Sequence, residues 1–103
     1  MVKAITILHI PGCPNVPLIR QRLADALTRV AGPAPHVTVV EVADPDDAAR
    51  RHFHGSPALL IDGIDPFADP DGPPAFACRT YRTGAGMEGA PSIDQIVIAL
   101  APG

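Results

Sequence analysis

The sequence predicts an α/β domain in the order β-α-β-α-β-β-α, and three observations carry that prediction. Lys3–Ile10 (KAITILHI) is nearly unbroken in apolarity and rich in β-branched residues, as suits a strand buried on both faces. Helical signals starting at Val16, Asp44 and Ser92 alternate with further strand-like runs. Asp62-Gly63 stands between two short apolar runs, which is a hairpin turn signal.

From Val16 the apolar positions fall at Ile19, Leu23, Ala26, Leu27 and Val30, while Arg20, Arg22, Asp25 and Arg29 take the opposite side. Gly32-Pro33 stops that helix. His36–Val42 (HVTVVEV) reads as a second strand. Asp44-Pro45-Asp46-Asp47 then supplies a cap, a proline for the first helical position and acids for the first turn. Arg50 and Arg51 suit that short helix's last turn, and Gly55 follows. Ala58–Ile61 is the third strand and Ile64–Phe67 a short fourth. Ser92 with Gln95 makes a capping box for a last helix with Ile93, Ile96, Val97 and Leu100 on its apolar side. The expected architecture is a four-stranded mixed sheet in the order 2-1-3-4, with helices on both faces. Strand one is central, and Asp65 and Pro66 mark strand four as the edge. Of the 13 prolines and 9 glycines, many gather between residues 66 and 91, which reads as one long irregular loop before the last helix.

A chain of 103 residues, 47 % apolar, has room for one domain with one core. Eleven acids against eight bases give a net charge of −3, which argues against nucleic-acid binding by charge alone. No apolar run reaches the ~18 residues of a membrane span, so no membrane partner is expected. Met1–Ile10 lacks a signal peptide's basic start and cleavage pattern, and a cytoplasmic location is expected. In that compartment a permanent disulfide is disfavoured. The two cysteines therefore read as reactive, metal-binding or buried thiols.

Gly12-Cys13-Pro14 after strand one, and Gly55-Ser56-Pro57 just before strand three, give the element order a resemblance to the thioredoxin fold. The runs PGCPN, HGSPALLIDG and ACRTYR together resemble a family of short bacterial thioredoxin-like proteins, the DF-family (seleno)proteins, some of them labelled alkylmercury-lyase-like. The resemblance implies a reactive Cys13 at the start of the first helix. It also implies a cis Ser56–Pro57 bond, whose backbone would face the thiol and pair with an extended substrate. One departure matters: Val16 stands where redox-active thioredoxins carry a second cysteine, so dithiol exchange within that motif is impossible.

A thiol at a helix N-terminus faces unpaired backbone N–H groups, which favour the thiolate. Gly12 permits an unusual turn before it, and Pro14 or Pro17 suits a first helical turn that needs no N–H donor. Tracing the hairpin brings the chain back to the Cys13 end, so residues 68–91 would form a lid carrying Cys78, with Arg79 and Arg82 just after it. A thiol so delivered can resolve a sulfenic acid or a mixed disulfide on Cys13. The leading expectation is a thiol-dependent redox protein with Cys13 as nucleophile and Cys78 as resolving thiol. Gly12, Pro14, Asn15, Ser56, Pro57 and Arg79 would border the substrate, and a small thiol, a disulfide or a protein redox partner would complete the cycle. The alternatives are a soft-metal or organomercurial binding or lyase-like protein using the same two thiols, and a non-catalytic binding module. His9, His36, His52 and His54 have no structural-zinc spacing, so no metal site is assigned to them. No cofactor motif is present: neither a phosphate-cradling glycine loop nor Gly-x-Ser-x-Gly occurs.

Overall fold

The computed structural model describes residues 4–101. Strand β1 (Ala4–His9) pairs in parallel with β2 (His36–Glu41) and antiparallel with β4 (Ala58–Ile61), giving a three-stranded mixed sheet in the order β2-β1-β4. Lys3, expected at the start of the first strand, lies outside the described residues. Helix α1 (Val16–Leu27) connects β1 to β2, and α2 (Pro45–Arg50) connects β2 to the cis-proline segment. Helix α3 (Ile93–Leu100) closes the chain.

The central strand alternates its side chains between two cores. Ile5 and Ile7 face α1 and α3, packing with Ile19, Leu23, Ala26, Leu59, Ile96 and Leu100. Leu8 points the other way, into a smaller cluster with Val42, Ala48, Phe53 and Ala58 beneath α2. Helices thus cover both faces, as the sequence implied. The caps are also those read from the sequence. Asp44 accepts from the Asp47 backbone N–H at 2.8 Å. Ser92 and Gln95 close the capping box at 3.1 and 2.8 Å.

Two expectations need correction. The fourth strand, Ile64–Phe67, shrinks to a single bridge between Ile61 and Ile64 around the Asp62-Gly63 turn, where both residues have positive φ. The cause is local: Asp65 turns away and accepts from the Phe67 N–H at 2.9 Å, and Pro66 has no N–H to offer a ladder. The second correction concerns residues 66–91, which are not one irregular loop. They contain β5 (Ala75–Cys78), β6 (Tyr81–Thr83) and β7 (Gly86–Glu88). Strand β5 pairs in parallel with β3 (His54–Ser56), and β6 and β7 form a hairpin. Proline density hid these strands, because each is only three or four residues long. Among the described residues no helix is long and apolar enough to cross a membrane.

Candidate functional site around Cys13 and the Ser56–Pro57 turn

Beyond β1 the chain turns through Pro11 and Gly12, whose φ of +72° suits glycine. The Cys13 N–H returns to the Ile10 carbonyl at 3.2 Å, leaving the residue half-buried. Helix α1 begins only at Val16, with Asn15 as its cap and Pro17 in its first turn. Cys13 therefore precedes the cap by two residues, set back from the helix head that the sequence suggested. The Asn15 side chain makes no capping bond and packs against Gly89, where a Cβ would collide with its amide. Pro14 is exposed beside it.

The facing segment is anchored to this turn. Ser56 is fully buried, and its Oγ accepts from the Ile10 N–H at 3.0 Å. The Ser56–Pro57 peptide is cis, the isomer that the resemblance implied. The Ser56 carbonyl accepts from the Arg79 N–H at 2.9 Å. Across β3 and β5, Ser56 is paired with Cys78, one extra residue of β5 being accommodated just before it. Cys78 itself is exposed, and both thiols are free. Both cysteines are thus linked to one buried serine: Cys13 through the Ile10 turn, Cys78 through the strand pair.

Arg79 does not point outward. Its guanidinium binds Asp65 at 2.6 and 3.4 Å, and it lies 4.4 Å above the Tyr81 ring. Its stem packs on Gly55, where an added Cβ would fall 2.8 Å from Arg79 Cβ. Tyr81 also meets Phe67 edge-on at 5.8 Å between centroids, and its hydroxyl donates to the Pro57 carbonyl. Burial, with smaller contributions from the Asp65 charge and from Cys13, pushes the Tyr81 hydroxyl well above the ordinary phenol range, while Arg79 opposes the shift. A cavity of about 270 Å³ opens beside this ring between Phe67, Arg79, Thr80, Arg82 and Gln95.

Sequence reading missed Tyr81 and the role of Asp65. The one available signal was the chain's only tyrosine, two residues beyond Arg79 on a short strand-like run. Among the described residues, no group of three or more His, Cys, Asp or Glu side chains is arranged to hold a metal ion. Comparison of the chain with protein-family models, curated proteins and solved structures finds no match.

Proposed function

We propose that this protein is a thioredoxin-like thiol redox protein with Cys13 as nucleophile and Cys78 as resolving thiol. The observation that carries the reading is the position of Ser56, tied to the Cys13 turn through Ile10 and paired with Cys78 through β5. One buried residue thereby fixes the relation of two half-exposed or exposed thiol segments. The fold reading is supported by the β2-β1-β4 order, with β1 central, parallel to β2 and antiparallel to β4. In this reading the bridge at Ile64 stands where a fourth strand would begin. Two free thiols suit a reducing cytoplasm.

The Cys13 thiolate attacks one sulfur of a substrate disulfide; a Cys13–substrate bond forms, the substrate S–S bond breaks, and one thiolate leaves and takes a proton. Cys78 then loses its proton and attacks the Cys13 sulfur, releasing the second substrate thiol. The protein ends with a Cys13–Cys78 disulfide, and two electrons have passed to the substrate. Two equivalents of an external small thiol of the glutathione class return the pair to the reduced state: the first forms a mixed disulfide and frees one protein thiol, and the second displaces it, leaving as the small-molecule disulfide.

Intact-mass analysis after exposure to glutathione disulfide tests this. Wild type should end two hydrogens lighter, without adduct. Cys78→Ser should stop at a single glutathione adduct on Cys13, and Cys13→Ser should lose the fast reaction. A Cys13→Ser protein that reacts like wild type would overturn the assignment.

A further inference from the structure

Asp65, Arg79, Tyr81 and Pro57 form one connected chain of contacts from the hairpin turn to the segment facing Cys13. The Arg79–Asp65 pair is closely shielded, its side chains 11 % and 7 % exposed. Tyr81 is 5 % exposed, with the Arg79 guanidinium over its ring and the Phe67 ring perpendicular to it. A buried phenol contacted by two such neighbours has little freedom to swing, so its hydroxyl is aimed by packing and not by its own bond alone. That hydroxyl ends on the Pro57 carbonyl, one peptide beyond Ser56.

We propose that Tyr81, held in place by Arg79 and Asp65, is a positioning residue that fixes the Ser56–Pro57 backbone against which a disulfide substrate is aligned for attack by Cys13. The proposal rests on the thiol reading above. Arg79 has a double part: its N–H extends the β5 pairing at Ser56, and its guanidinium steadies Tyr81. Arg79 therefore joins the strand carrying Cys78 to the ring whose hydroxyl holds Pro57. Substrate alignment needs the facing backbone held within fractions of an ångström, whereas alkylation by a small electrophile needs only an accessible thiolate. Burial keeps the Tyr81 hydroxyl protonated well into alkali, so it stays a donor to the Pro57 carbonyl.

Rates of Cys13 modification by iodoacetamide and by glutathione disulfide, measured against pH in a Cys78→Ser background, separate the possibilities. Tyr81→Phe should lower the disulfide plateau about tenfold or more, leaving the iodoacetamide rate and the midpoint of both profiles unchanged. Asp65→Asn, which keeps the hydroxyl but loosens Arg79, should give a smaller loss of the same kind, and it serves if Tyr81→Phe does not fold. Equal slowing with both reagents, or a moved midpoint, would mean that Tyr81 acts on the thiolate and would overturn the positioning role. A disulfide plateau unchanged in both variants overturns it too. If wild-type Cys13 alkylates but ignores the disulfide, the thiol-exchange reading falls and this proposal with it. A reactive wild type beside unchanged variants removes the positioning role alone.

Discussion

Arg22 on α1 and Glu88 at the end of β7 meet at 2.7 Å across 66 positions of sequence. The same guanidinium donates to the carbonyls of Ala90 and Pro91 at 3.1 and 3.3 Å. The other Glu88 oxygen accepts from Thr83 Oγ1 at 2.6 Å. One arginine thus ties the β6–β7 hairpin and the approach to α3 onto the helix that follows Cys13.

Acid should loosen this tie. The hydrogen bond from Arg22, then that from Thr83, holds the Glu88 carboxyl below its ordinary range. Asp47 is lowered likewise, first by the Ala43 N–H and then by Arg51. A lowered native value means that the native state favours the charged form. The stabilisation is therefore complete above the unfolded value, near 4.5 for Glu88, and is lost as pH falls through the native value. Urea midpoints should drop between pH 5 and 3, and Glu88→Gln should remove part of that slope while lowering the midpoint at pH 7. An unaltered slope in Glu88→Gln would show that the pair does not contribute.

Alkali should act through Tyr81 with the opposite sign. Its raised native value means that the neutral phenol is favoured in the folded protein, so the benefit is full below the unfolded value of 10.0 and fades as pH rises above it. Because the chain has one tyrosine and no tryptophan, the phenolate absorbance reports this group without overlap. Native protein should show no phenolate at pH 10.5, and the band should appear together with the loss of far-ultraviolet ellipticity. A phenolate signal near pH 10 with the fold intact would place the hydroxyl in water.

The elements that decide their own structure locally were legible in the sequence. The Asp44 cap, the Ser92–Gln95 box, the Asp62-Gly63 turn and the apolar run of β1 each rest on neighbours within a few residues. What failed depends on distant partners. Strands β5 to β7 gain definition from pairing with β3 or with each other, and proline-rich flanks give no sign of it. The Arg79–Asp65 pair was equally hidden, because the two residues stand 14 positions apart in the chain. Cys13 and the Ser56–Pro57 turn were legible because turn chemistry and resemblance marked them. The Tyr81 support was not, since a lone aromatic carries no period.

Gly55 offers a test of how tightly β5 seats on the cis-proline segment. Its φ is +111°, and a Cβ would also press on Arg79. Gly63 has a φ of +85° with open space around it. Gly63→Ala should therefore cost only the backbone strain, about 1 kcal/mol, whereas Gly55→Ala adds a steric conflict and should cost about 2–4 kcal/mol. Gly55→Ala should also increase proteolysis between residues 66 and 80, because Arg79 leads β5 away with it. Equal losses in the two variants would mean that Arg79 yields freely.

The last expectation concerns Asn15 and Gly89, which join the head of α1 to the end of the β6–β7 hairpin. A methyl at Gly89 has no room unless the Asn15 amide moves, since all three nearest atoms belong to that side chain. Asn15 makes no capping hydrogen bond, so the amide can move without removing a helix cap. Gly89→Ala should then destabilise by about 1–2 kcal/mol through overpacking and should alter Cys13 reactivity, because Asn15 lies two residues from that thiol. Asn15→Ala clears the conflict. The double variant should recover most of the stability that Gly89→Ala loses, giving an interaction energy of about 1 kcal/mol in a double-mutant cycle. Additive losses would show that Gly89 is required for its backbone and not for this contact. Recovery of stability together with wild-type alkylation of Cys13 would show that the hairpin sets the thiol turn through Asn15.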